Sequence, residues 1–401
     1  MRRRPSLAAI AAACVGWPAA ARARAPGLFE LATPEPVQQV AAGGPSGALA
    51  IGAQGTLYAL DLGGGQAQPL AKGLDPDTPL AVGHGRIAAR RQDGALWVLD
   101  AGGASTSKAQ ALASGAGLLV LPQAVVGVEA EGPRHRVVRL VASGTSAWAR
   151  VARSTVEVLP DARPLLADLD GHGDGGQVVV LAGPDAERYR HGVLGDAVEA
   201  TRLCVLERHS LSEMRQLSLA APHVFEDIAP RRVVLGGRDG LLTVRAGPQG
   251  GQLVLVDADP AAPSSLRIAA SGPALGTINR WMSPTTDGHR WLAVHTPHIG
   301  GVLHEYRQQG HELLATRMRD GVSNHTIGSR RLDLAAWLGP WLLMPGQRQR
   351  RLLLLDGRSG WRQAHEWQLP SRLVATASLM DAQGALILHE DGSVAVARPP
   401  S

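Results

Sequence analysis

A short β pattern that keeps restarting constrains this chain more than any other feature of it. Gln54-Gly55-Thr56-Leu57-Tyr58-Ala59-Leu60-Asp61 returns as Gln92-Asp93-Gly94-Ala95-Leu96-Trp97-Val98-Leu99-Asp100, and looser copies run to the C-terminus. The spacing is about 40 residues, apolar runs alternate with Gly-rich turns, and helical phasing is missing. One such unit cannot bury both faces of its sheet, so the units must pack on one another. Antiparallel strands at this period predict an all-β ring of blades, a β-propeller. Inner strand pairs read at 48–62, 86–100, 124–141, 177–182 with 202–207, 232–257, 291–306, 341–355 and 385–397. That makes a single eight-bladed propeller, with seven blades as the alternative. The fifth unit is the ambiguous one, because 241–245 and 252–257 fit either its second and third strands or its third and fourth.

The chain ends bear on closure. From Arg372 the last unit has room for three strands before Ser401, while Leu28-Phe29-Glu30-Leu31-Ala32-Thr33 is a spare strand ahead of the first blade. Pairing the two removes two exposed edges, so the N-terminal strand is predicted to complete the last blade. Pro, Gly and Ser clusters recur at blade period instead of gathering into a linker, so 28–401 reads as one domain.

Residues 1–23 read as an export signal. Met1-Arg2-Arg3-Arg4 is basic, Leu7 to Val15 is a short apolar run, and Ala21-Arg22-Ala23 supplies small residues for cleavage. Export predicts a periplasmic protein; the alternative is a lipid anchor at Cys14, within Ala11-Ala12-Ala13-Cys14, that would tie it to a membrane. No later stretch reaches the ~18 unbroken apolar residues of a transmembrane helix. The formal net charge is +5, and Arg2, Arg3, Arg4, Arg22 and Arg24 account for all of it. The remainder is balanced and offers no electrostatic footprint for nucleic acid. With Cys14 in the presequence, Cys204 has no intramolecular disulfide partner, so stability must come from core burial. Nine Trp stand against two Phe, six of them in the C-terminal third. Packing between blades uses flat apolar surfaces that carry a donor, with ligand stacking as the other reading.

Two resemblances agree on this fold. Pro164-Leu165-Leu166-Ala167-Asp168-Leu169-Asp170-Gly171-His172-Gly173-Asp174-Gly175-Gly176-Gln177-Val178-Val179-Val180 resembles the FG-GAP or VCBS-type propeller repeat, in which an Asp-x-Asp-Gly-Asp-Gly loop wraps a calcium ion. The resemblance implies calcium as a cofactor, with Asp168, Asp170 and Asp174 as hard oxygen ligands. His172 stands where that repeat usually has Asp, and no acid occupies the closing position near Gly176 or Gln177. A plain turn, with Asp side chains bonded to backbone amides, is the other reading of the same residues. Gly55-Thr56-Leu57-Tyr58-Ala59-Leu60-Asp61 and Leu355-Asp356-Gly357-Arg358-Ser359-Gly360-Trp361 look like repeats of PQQ-type propellers, a group that includes a non-enzymatic outer-membrane assembly lipoprotein.

Signatures of catalysis are sparse. Gly171-His172-Gly173-Asp174-Gly175-Gly176 fits a dinucleotide fingerprint only formally, because it runs into a strand and not a helix. No GxSxG, P-loop or CxxC occurs, and His311-Glu312-Leu313-Leu314-Ala315 lacks the second His of a zincin. One constellation remains, in Thr296-Pro297-His298-Ile299-Gly300-Gly301 and Ser323-Asn324-His325-Thr326-Ile327-Gly328-Ser329-Arg330. In a propeller the turns between second and third strands and the connections between blades emerge on the same face. His298, Asn324, His325 and Arg330 should therefore be neighbours there, joined by Asn279 and Arg280, and should suit an anionic or carbonyl ligand. The other reading is that the two imidazoles satisfy buried backbone carbonyls. The function expected is that of an exported, non-enzymatic binding or scaffold module, taking a protein or a small anionic ligand at this face. The alternative is a propeller enzyme, such as a lyase, hydrolase or quinone-dependent dehydrogenase, using His298, His325 and Arg330.

Overall fold

The computed structural model describes residues 26–400 except 108–110, 145–146, 174 and 381. The presequence, Cys14 and Asp174 lie outside the described residues. Within them the chain is all-β: besides two three-residue 3₁₀ turns at 192–194 and 357–359, every regular element is a strand.

The strands pair in successive antiparallel sets of four, each running from an inner strand a to an outer strand d. The first set covers 37–71, and the next six cover 81–107, 119–157, 165–218, 231–271, 282–320 and 336–368. The eighth has three strands of its own over 373–398. Its fourth is Gly27–Leu31, which pairs antiparallel with Val394–Arg398 from Gly27 opposite Arg398 to Leu31 opposite Val394. The spare N-terminal strand thus takes the outer position in the last sheet. In the fifth set, Arg238–Ala246 and Gln252–Ala258 are the second and third strands, which resolves the ambiguous unit.

Buried runs explain why these segments extend. Val178-Val179-Val180-Leu181 and Leu352-Leu353-Leu354-Leu355 are buried at every position, because each middle strand is covered by sheets on both sides. The repeated Gly has a matching cause. Gly55 and Gly94 take φ of +80° and +84°, and their carbonyls accept from the backbone N–H groups of Leu74 (3.0 Å) and Leu112 (3.2 Å) in the following connections. A Cβ on Gly55 would sit 2.3 Å from the Leu74 carbonyl oxygen. The recurring motif is therefore the lock between one sheet and the next, and only Gly fits it.

Tryptophan joins the sets as well. Trp148 Nε1 donates to Ser105 Oγ of the preceding set at 2.9 Å, and Trp337 Nε1 to Thr285 Oγ1 at 2.9 Å. The Arg290 guanidinium lies over the Trp337 and Trp361 rings at 4.8 and 5.5 Å. The last set packs on the first through Leu31, Val37, Val40, Leu386, Leu388 and Val394, and Val37 N–H donates to Gly392 O at 2.9 Å.

Candidate functional site

Strand order puts the turns between strands b and c, and the connections from one set to the next, on one face. Contacts among them confirm that placement. His298, in the b–c turn of the sixth set, meets His325, in the connection to the seventh, with Nε2 and Nδ1 3.0 Å apart. His325 is fully buried, and its Nε2 lies 2.8 Å from the Ser329 carbonyl oxygen. A carbonyl only accepts, so Nε2 of His325 carries the hydrogen. Its Nδ1 is then the acceptor for His298 Nε2–H. Burial first, then the facing His298, pull His325 down to about 3; burial and His191 pull His298 down to about 4. Both rings are neutral and pack on Trp281, which is parallel to His298 at 6.1 Å between centroids and 4.7 Å from His325. Trp281 Nε1 donates to Glu226 O at 3.0 Å.

The neighbouring segment is anchored from several sides. Ser323 Oγ donates to His325 O at 3.0 Å, Gln349 Nε2 donates to Ser323 Oγ at 3.0 Å, and Asn324 Nδ2 donates to Ser283 O at 3.2 Å. Asn324 is therefore a buried tie to the sixth set. Arg280 is half-exposed, its carbonyl accepts from Gly251 N–H at 2.6 Å, and it makes no ion pair among the described residues.

Arg330 crosses the mouth. Its Nε donates to Asp161 at 2.9 Å and its Nη2 to Asp196 at 2.7 Å, residues more than 130 positions away. Beside it, Gly328 N–H donates to Val193 O at 2.9 Å, and a Cβ on Gly195 (φ +103°) would sit 3.0 Å from the Gly328 carbonyl oxygen. The b–c connection of the fourth set, 186–198, thus reaches over to the connection entering the seventh. Its root is held by Tyr189, whose hydroxyl accepts from Asn279 N–H at 2.9 Å, and by His191, whose Nδ1 shares a hydrogen with Glu226 Oε1. Glu226 and Glu199 are buried. Burial, reinforced by Glu226 and Asp196, pushes Glu199 up to about 10, and burial with Asp227 pushes Glu226 well above the carboxylate range.

On the far side of this crossing lies a cavity of about 610 Å³. Arg330 lines it, with Arg163, Arg331, Asp333, Asp77 and Ser114 from connections entering the second, third, fourth and seventh sets. The histidines face each other and Trp281, while Arg330 alone of the five candidates reaches the cavity wall. Three exposed isoleucines lie on this face: Ile299 (62%) in the b–c turn of the sixth set, and Ile278 (54%) and Ile327 (66%) in the connections entering and leaving that set.

The 168–174 loop joins strands a and b of the fourth set and belongs to the opposite face. Asp168 accepts from the backbone N–H groups of Gly171, His172 and Gly173 at 2.9, 3.2 and 2.8 Å, which hold its carboxyl below the usual range. Asp170 pairs with Arg215 at 2.8 Å. This is the geometry of the amide-bonded turn. Among the described residues no group of three His, Cys, Asp or Glu side chains converges as metal ligands.

Sequence reasoning missed His191, Glu226, Arg163 and Arg331. A signal for the first existed in the length of the 183–201 connection, the longest between any b and c strands read from the sequence. The arginines carry no local signal.

No protein-family model matches the chain, and no curated protein matches it. Among solved structures, the chain is similar to Sqt1 of Saccharomyces cerevisiae at 9% identity and TM-score 0.58, covering 93% of this chain and 98% of that one. It is also similar to the computationally designed Ika8 protein at 10% identity and TM-score 0.57, covering 93% and 100%. The β-propeller domain of Cps50 (Swd1) from Myceliophteria thermophila aligns over 93% and 99% at 9% identity and TM-score 0.48. Likeness of fold to Sqt1, together with the all-β sheets, makes the protein a β-propeller. At these identities the likeness is one of fold alone.

Proposed function

We infer that the chain is a single eight-bladed ring, closed by its N-terminal strand, that is exported and works as a non-enzymatic binding or scaffold module. Eight four-stranded sets, the Gly27–Leu31 pairing and the packing of last set on first support the ring. The basic, apolar and small-residue order of 1–23 supports export to a periplasm, with Cys14 as the anchored alternative. Calcium at the 168–174 loop is a separate proposal resting on the sequence resemblance.

The observation that carries the binding reading is the state of the histidines. Both are neutral, and their N–H groups are spent on one another and on a backbone carbonyl, while three exposed isoleucines lie in the same loops and the connection entering the sixth set. An apolar rim around a polar, rigid centre is what a protein-docking face presents. Capture from cells of the source organism tests it with wild type and an Ile299→Asp/Ile327→Asp variant of unchanged melting temperature. The reading expects at least one partner that the variant loses; identical captures would refute it. One observation favours the enzyme alternative, namely the buried Glu226 carboxyl oriented on His191. On that reading the reactive imidazole is His191, and neither His298 nor His325.

A further inference from the structure

Charge pairing around the mouth is uneven. Arg330 holds Asp161 and Asp196, and Arg231 holds Asp227, so three of the nearby acids are taken. Arg163 and Arg331, both on the cavity wall, have only carbonyl partners. Arg163 Nη2 donates to Arg330 O at 2.5 Å, and Arg331 Nη2 donates to Gln38 O. Neither makes an ion pair among the described residues. Asp333 lies in the same cavity between Arg331 and Arg163, and its backbone carbonyl accepts from Thr376 N–H at 2.7 Å and Thr376 Oγ1 at 2.8 Å.

That leaves two guanidinium groups, Arg163 and Arg331, facing one carboxylate, Asp333, on the cavity wall. Arg163 bears the strain most. Its Nε is shut off from solvent with no acceptor, while Nη2 reaches the Arg330 carbonyl; burial lowers its pKa against the opposing pull of Asp333 and Asp161. A planar carboxylate is the natural complement of a guanidinium fork. A dianionic phosphate is disfavoured, with Asp333 and Asp77 on the same wall. On the same cavity wall Asp77 is exposed, and its carboxylate has no partner among the described residues. A cation or a hydrogen-bond donor suits it. The volume is within the range of small-molecule sites.

We propose that this cavity binds a small zwitterionic acid, its carboxylate between Arg163 and Arg331 and its amine toward Asp77. This goes beyond docking at the isoleucine rim, and the two are tested by different variants. The probes are 6-aminohexanoate, hexanoate and inorganic phosphate, titrated calorimetrically into the full chain at low and at raised salt. The expected order is 6-aminohexanoate tightest, hexanoate several-fold weaker, and phosphate without measurable heat. Arg331→Gln is expected to weaken 6-aminohexanoate at least tenfold. Asp77→Asn, at an exposed position that poses no risk to folding, is expected to bring the two organic acids level. No binding of either acid at millimolar concentration overturns the proposal. So does equal binding of both acids by the parent protein, binding of phosphate alone, or an unchanged affinity in Arg331→Gln and Asp77→Asn.

Discussion

Replacing His325 by Ala removes a ring that is fully buried and bonded at both nitrogens. The Ser329 carbonyl loses its donor and His298 Nε2–H loses its acceptor. A buried group left unpaired costs about 1–3 kcal/mol, and the missing ring adds a void against Trp281. Some water can reach the half-buried His298, so the loss should total about 2–3 kcal/mol. The histidine also carries a pH signature. Its pKa is about 3 in the fold and near 6.5 unfolded. A depressed histidine binds fewer protons folded than unfolded over that window, so its contribution is complete above the unfolded value and declines as pH falls toward 3. Wild type should therefore lose about 1.4 kcal/mol from this group between about pH 7.5 and about pH 5.5, a contribution that the Ala variant lacks. Urea unfolding followed by Trp fluorescence, run for both proteins at both pH values, reads the double difference directly. A variant as stable as wild type would mean a solvent-facing imidazole, and a gap that fails to narrow at low pH would mean that His325 is charged in the fold.

Deleting 26–31 should bare the Val394–Arg398 edge and the apolar surface that Leu31 covers, lowering the melting temperature and promoting self-association by light scattering. A monomer with an unchanged melting temperature would contradict closure. If calcium enters the 168–174 loop, millimolar calcium should raise the melting temperature with an affinity of ~10⁻⁴ to 10⁻³ M, and Asp170→Ala should abolish the rise. No rise in the parent leaves the loop as the amide-bonded turn seen around Asp168.

Much of the architecture was readable because each blade repeats the same local physics. Gly55 and Gly94 mark positions that need positive φ, and runs such as Val178 to Leu181 mark strands covered on both sides. Topology then carried one step further, bringing His298 to His325 across 27 residues. What it could not convey was direction. Whether those imidazoles turn to a cavity or to each other depends on Trp281 and the Ser329 carbonyl, whose positions follow from packing and not from spacing. Likewise Asp170 looks like a ligand in its motif, yet Arg215, 45 residues on, claims it. Arg163 and Arg330 meet across 167 residues, beyond the reach of any local pattern.

The central claim is that this protein acts by binding a partner at the face where the b–c turns and inter-blade connections emerge. Site-specific photo-crosslinking in the source organism tests it most directly, with the photoreactive residue at Ile299 or Ile327 on that face and at Met380, 83% exposed in the turn between the first two strands of the eighth set. Discrete adducts from Ile299 and Ile327, with none from Met380, are predicted. Adducts from Met380 alone, or equally from all three positions, would contradict the account.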